Sequence, residues 1–334
     1  MASFRFSLTG LLSAFILSYS SPAPAQNVAR QDTQTIRIRV ERVNVGVIVT
    51  DSRGHLVEGL RREDFHIFDN GSEQPLTDFA AVEAPAQVLV LIEAGPAVYL
   101  LKDSHLRAAY ALLEGLSTDD RVAVVKYADA PQAILDFTQN KQAAEAALDQ
   151  LSFNLGFGSL NLSSSLSKVL EWLANDPGKK TIVLLSTGVD TSPANESTIL
   201  LQQLKTSEVR VLAVSLASGF QNSQTSGKKK APATLPNPMA ESFEEAEQFL
   251  KRAAGATGGK AYFPSDTTGI KAVFAEIAQL VRHEYSLAFA PPVRDGLVHS
   301  IEVRVEAQQK PSSNASMGSY RVDHRQAYVA PARP

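Results

Sequence analysis

Residues 88–93 read Val-Leu-Val-Leu-Ile-Glu, five apolar side chains in a row ending in an acid. A strand with one wet face alternates apolar and polar residues. An unbroken apolar run belongs instead to a strand covered on both faces, as in the middle of a parallel sheet. Thr181-Ile182-Val183-Leu184-Leu185 repeats the pattern, and residues 121–127 and 209–216 follow it more loosely. The segments between have a helical period. Leu106, Tyr110, Leu113 and Leu116 share one face, as do Ala144, Leu148 and Leu151, and again Leu166, Val169, Leu170 and Leu173. Residues 198–204, 241–255 and 267–283 read as further helices, with a short strand at 261–263. After the turn at 129–132, residues 133–137 are placed to form an antiparallel edge hairpin. Strand and helix alternating over about 200 residues predict a doubly wound, Rossmann-like α/β domain, its mostly parallel sheet carrying helices on both faces.

Outside this block the period changes to two. Ile36, Ile38 and Val40, then Val43, Val45, Val47 and Val49, alternate with other residues, and Asp69-Asn70-Gly71 is a hairpin turn. Near the other end Ile301, Val303 and Val305 alternate with Glu302, Arg304 and Glu306. Each half is too small a sheet to be stable alone. The expectation is that the two ends close one β-sandwich: an N-terminal β-strand segment at 26–84 and a C-terminal one at 284–334, flanking the α/β domain at 85–283, with 284–334 packing on 35–84. Residues 218–240, with Lys228-Lys229-Lys230, and residues 308–319 read as polar loops.

Residues 1–25 have the grammar of a signal peptide: Arg5, an uncharged and mostly apolar core from Ser7 to Leu17, and Ala23-Pro24-Ala25 as a cleavage site. A membrane span needs about 20 apolar residues, about twice this run. The chain is therefore expected to be exported, to the periplasm or the extracellular space, with no membrane span in its mature part.

Composition narrows the chemistry. With no Cys there is no disulfide, thiol nucleophile or thiolate metal site. Lys and Arg number 32 against 35 Asp and Glu, a net charge of -3 that gives no basic stripe for nucleic acid. No G-x-S-x-G elbow or H-E-x-x-H pair occurs. The six His are isolated and read as surface residues, Asp119-Asp120 as an exposed charge pair, and Ser163-Ser164-Ser165 as helix caps. Gly255–Lys260 mimics a phosphate loop, but Ala254 and Ala261 stand where Gly and Ser or Thr are needed, so the glycines read as a helix stop. No enzyme activity and no cofactor are expected.

Several stretches, in order, carry a resemblance: VNVGVIVTDSRGHLVEGLRREDFHIFDNG (43–71), VLVLIEAGPA (88–97), RVAVVKYAD (121–129), GFGSLNLSSSL (156–166), KKTIVLLSTGVDTSP (179–193), AAGATGGKAYFP (253–264), and EYSLAFAPP with DGLVHSIEVRV (284–305). Residues 88–285 resemble a von Willebrand factor type A (VWFA) domain, and the whole resembles secreted, acidobacterial-type VWFA-related proteins. That resemblance implies a divalent cation site at the top of the sheet, built from a D-x-S-x-S motif, a Thr and a late Asp. A hard cation wants a full shell of oxygens. Here Glu93 stands at the first Asp, Gly95 and Ala97 at the serines, Leu160 (beside Ser159) at the Thr, and Thr187 at the last Asp, with Asp190 nearby. The metal-ion-dependent adhesion site is thus expected to be degenerate. The expected function is non-catalytic binding of a protein partner through loops 93–99, 156–163 and 187–193. The alternative is a Mg²⁺- or Mn²⁺-dependent adhesion module using Glu93, Ser159, Thr187 and Asp190. Leu160 and its apolar neighbours either form a docking rim or pack inward.

Overall fold

The computed structural model describes residues 42–83, 85–95, 102–153, 158–174, 178–215, 238–306 and 320–332. The signal-peptide segment, the strand expected at 36–40 and the loops at 218–237 and 308–319 lie outside the described residues.

The central sheet has six strands. β5 (Gln87–Glu93), β6 (Arg121–Tyr127), β8 (Lys180–Leu185), β9 (Arg210–Val214) and β10 (Ala261–Tyr262) are parallel, and β7 (Pro131–Thr138) is the antiparallel edge beside β6. The order β10-β9-β8-β5-β6-β7 puts β5, first of these strands in sequence, in the middle. Its unbroken apolar run has a direct physical reading. Val88, Val90 and Ile92 point to one face, where they meet α1 (Lys102–Gly115), α2 (Lys141–Asp149) and α6 (Thr267–Leu280). Leu89 and Leu91 point to the other, against α3 (Leu162–Ala174), α4 (Ala194–Thr206) and α5 (Pro238–Ala256). Each of those five residues is at most 1% exposed. The doubly wound fold read from the sequence is the fold observed.

The β-sandwich joins both ends of the chain. One sheet has the order β13-β1-β11-β4, with β1 at Val43–Thr50, β4 at Leu76–Glu83, β11 at His283–Phe289 and β13 at Arg321–Asp323. The second has the order β14-β12-β2-β3, with β2 at Phe65–Asp69, β3 at Ser72–Gln74, β12 at Val298–Val305 and β14 at Ala327–Val329. Val43, Val45, Val47 and Val49 share one core with Phe65, Ile67, Leu287, Phe289, Ile301 and Val303. The β2–β3 turn takes Asn70 and Gly71 through positive φ (47° and 80°), the shape of the tight hairpin turn that Asn-Gly favours.

Four expectations are corrected. The last helix stops at Leu280 rather than 283, because His283 and Glu284 pair with Glu83 and Val82 of β4. His105 and His299 are buried rather than on the surface. His299 Nδ1 lies 2.8 Å from Asp69 Oδ1 and its Nε2 lies 3.2 Å from Asp295 Oδ2, so two carboxylates explain its burial. Asp120 is buried too: it accepts Ala86 N–H and Ser117 N–H, each at 2.7 Å, and so fixes the turn into β6. The serines that open α3 are not its cap; an aspartate from another loop is.

Candidate functional site

β5 and β8 are neighbours, and the chain leaves β5 toward β6 on one side and later returns to β8 on the other. Their carboxyl ends therefore flank a topological switch point, where open α/β sheets form their crevices. Glu93 is the last residue of β5, Tyr127 ends β6, and Ser186-Thr187 follows β8. These four side chains meet. Thr187 N–H donates to Glu93 Oε2 at 2.7 Å, and Thr187 Oγ1 lies 3.0 and 2.9 Å from the two carboxyl oxygens. Ser186 Oγ donates to Oε2 at 3.0 Å and accepts Gly188 N–H at 2.8 Å. Tyr127 OH lies 2.7 Å from Ser186 Oγ and 3.3 Å from Glu93 Oε2. Each hydroxyl has one proton, so the economical pattern is Tyr127 to Ser186 to Glu93.

Glu93 and Tyr127 are both 0% exposed. Burial pushes the Glu93 carboxyl above its ordinary range, and the hydrogen bonds from Thr187, Ser186 and Tyr127 offset only part of that rise. Burial and then the Glu93 charge push Tyr127 well above a usual phenol. Among the described residues all the donors to Glu93 are neutral, so an ionised carboxylate there would have no counter-ion from them.

Leu160, in the loop before α3, packs on Gly95. Leu160 is 5% exposed, and a Cβ built on Gly95 would overlap its Cδ2. Gly95 is therefore where the chain must stay bare for Leu160 to lie down. Of the two readings of Leu160, inward packing is the one observed. Its backbone is held by Thr191: Leu160 N–H donates to Thr191 Oγ1 at 2.8 Å, and Thr191 N–H to Leu160 O at 2.7 Å. Asp190 is half-buried and turned to α3. Its Oδ2 accepts Ser163 N–H at 3.1 Å and the Ser163 hydroxyl, while Oδ1 accepts Ser192 N–H at 2.9 Å. Ser159 is exposed. Ala97 lies outside the described residues, as do Pro96, Val98 and Phe157.

The structure thus brings Glu93 to Thr187 and Gly95 to Leu160, and it occupies Asp190 with a helix terminus. Tyr127 and Ser186 were not singled out in the sequence, where a strand-ending Tyr and a Ser before Thr187 carry no spacing signal. A divalent cation does not fit this donor set. Reaching Glu93 would require the Thr187 and Ser186 donors to turn away, and two positions where the resemblance implies hydroxyls hold Gly95 and Leu160. Among the described residues no three His, Asp or Glu cluster in a way that could hold a metal.

The sequence model of the von Willebrand factor type A domain matches residues 104–273, just over half of the chain. It begins downstream of β5, so positions 93–97 lie outside the match. Comparison with curated proteins gives no match. Among solved structures, a von Willebrand factor type A protein from Catenulispora acidiphila is similar at 11% identity and a TM-score of 0.45, over 79% of this chain and 76% of that one. The conserved hypothetical protein BatB from Bacteroides thetaiotaomicron is similar at 13% identity and a TM-score of 0.42, over 58% and 98%. An aerotolerance-related membrane protein from Bacteroides fragilis is similar at 12% identity and a TM-score of 0.41, over 59% and 98%. On the family match over residues 104–273, and with the doubly wound sheet that accompanies it, this chain belongs to the von Willebrand factor type A domain family.

Proposed function

We propose that the protein is an exported, non-catalytic protein-binding module whose cation position has become an internal hydrogen-bonded knot. The observation that carries this reading is Glu93, fully buried and ringed by neutral donors, with Leu160 laid over Gly95. In a cation-dependent adhesion site the metal presents an open coordination position to an acidic group of the partner. Here the same place is filled by the chain's own side chains, so recognition falls to the surfaces of the surrounding loops, 93–99, 156–163 and 187–193, without a metal bridge. Export rests on the signal-peptide grammar of residues 1–25, and among the described residues no helix is long and apolar enough to cross a membrane. The Mg²⁺- or Mn²⁺-dependent alternative would need Asp190 to leave the amino end of α3.

Isothermal titration with Mg²⁺ and with Mn²⁺ tests the reading. No saturable heat at millimolar cation, and no rise in the unfolding temperature, is the expected result. A saturable isotherm that disappears in Thr187→Ala would overturn the metal-free reading and favour the alternative.

A further inference from the structure

In the second sheet of the sandwich, His299 is 6% exposed and each of its ring nitrogens faces a carboxylate. Nδ1 lies 2.8 Å from Oδ1 of Asp69, the last residue of β2. Nε2 lies 3.2 Å from Oδ2 of Asp295, in the turn that leads into β12. A neutral imidazole has one N–H and one lone pair, and an ionised carboxylate only accepts. A neutral ring would therefore set a lone pair against one of the two acids, whereas the imidazolium donates to both.

The contacts join separate parts of the sandwich. His299 is the cross-strand partner of Tyr328 in β14, and the Tyr328 hydroxyl donates to Asp69 Oδ2 at 3.1 Å. Tyr328 meets Phe289 of β11 edge to face, 5.5 Å between ring centres, which links the cluster to the first sheet. Asp295 Oδ1 accepts Leu297 N–H at 2.9 Å, and Leu297 O accepts Ala330 N–H at 2.8 Å, one residue beyond β14. Asp295 thus shapes the turn that holds the end of β14. Among the described residues the titratable groups that face His299 are Asp69 from β2, Asp295 from the turn and Tyr328 from β14; Arg325, ahead of β14, acts on Tyr328. Burial alone would lower His299, but the hydrogen bonds and charges of Asp69 and Asp295 outweigh it and hold the ring above its ordinary 6.5. The Leu297 N–H, with His299 adding to it, holds Asp295 below the usual carboxylate range.

The two acids are not equivalent. Asp69 is 3% exposed and has Tyr328 on its other oxygen, while the Asp295 side chain is 31% exposed and makes the longer contact. A neutral ring keeps its one N–H on Asp69, and Asp295 is the acid that can turn into water. We propose that His299 is a proton-operated clamp: its imidazolium ties the Asp295 turn to β2 and β14, and loss of the proton releases Asp295 and loosens both the turn and the end of β14. The clamp lies in the sandwich and does not rest on the Glu93 knot or on the binding function proposed from it. Because the folded-state value is raised above 6.5, the clamp is closed below 6.5 and opens as pH rises through the raised value.

The test is an NMR titration of the full chain from acid to alkaline pH, reading the His299 ring nitrogens and the hydrogen-exchange protection of the Leu297 and Ala330 amides. The expected result is a His299 midpoint above 6.5, with both ring nitrogens protonated below it. Protection of the two amides should fall through the same midpoint, by about tenfold for each unit that it lies above 6.5, while the amides of β5 keep theirs. Asp295→Asn keeps an oxygen for the Leu297 N–H but removes the charge. It should lower the midpoint by about one unit and carry the step in protection with it. His299→Gln should abolish the step; should that variant fail to fold, Asp295→Asn, at a partly exposed side chain, decides alone. A midpoint at or below 6.5, a titration without a step in protection, or a step that stays in place in Asp295→Asn would overturn the clamp.

Discussion

A side chain one methylene longer than aspartate lets Glu93 reach from the end of β5 to the backbone and hydroxyl of Thr187 beyond β8. Glu93 thereby ties two central strands together at their carboxyl ends. Its proton should be visible in stability. Because burial raises the folded-state value above the ordinary 4.5, the native protein keeps this proton to higher pH than the unfolded chain does. The stabilising contribution is full below 4.5 and is lost as pH rises through the raised native value. Glu93→Gln has no such proton, so wild type should lose stability relative to the variant in urea denaturation as pH rises from 4.5 through the raised native value. A wild type that gains on the variant over that range would mean an ionised, favourably solvated Glu93. At this scale the sequence places Gly95 and Leu160, whose side chains have no oxygen, where the family resemblance implies hydroxyl ligands. It did not reveal the hydrogen-bonded group around Glu93, because that group joins residues 93, 127, 186 and 187, which no local pattern connects.

Helices and strands are mostly legible from period alone, but their ends are not. The first turn of α3 carries three serines that look like caps, yet the Ser163 N–H is satisfied from another loop. Asp190 accepts the Ser163 N–H and hydroxyl, which also suits a carboxylate at the positive end of a helix. Asp190→Ala should cost about 1–2 kcal/mol in chemical denaturation, the usual loss for a deleted cap. Asp190→Asn, which keeps an acceptor oxygen, should cost less. An unchanged midpoint for Asp190→Ala would show that Asp190 does not cap α3. The strands that escaped sequence reading, β4 and β14, are those whose own pattern is weakest. β4 is half-exposed at a sheet edge and β14 has three residues. Pairing with β11 and β12 makes them strands. The same pairing ends α6 early, since ladder bonds to β4 take His283 and Glu284 from the helix.

At the scale of the whole molecule, the sandwich explains how a chain without disulfides holds its two ends. β11 lies between β1 and β4, so the C-terminal segment forms the middle of a sheet whose neighbours come from the N-terminal segment. A chain ending at Val281 would expose the apolar faces of β1 and β2 and leave two strands without their central partner. Such a truncation should bind a hydrophobic dye, aggregate in light scattering and lose cooperative unfolding of the sandwich. A monomeric truncation with full cooperativity would show that the two ends are independent.

The alternation of covered strands and amphipathic helices was determined by the sequence alone, because burial on both faces leaves an unbroken apolar run and burial on one face leaves a period. So was the absence of thiol chemistry, and of hydroxyls at positions 95 and 160. Tertiary structure alone decided that Leu160 lies inward over Gly95, that Tyr127 and Ser186 complete a closed knot around Glu93, and that Asp69 and Tyr328 meet His299. The reason is physical: hydrogen bonds and charges act through space over a few ångströms, and the residues they join here are separated along the chain by up to 259 positions, from Asp69 to Tyr328.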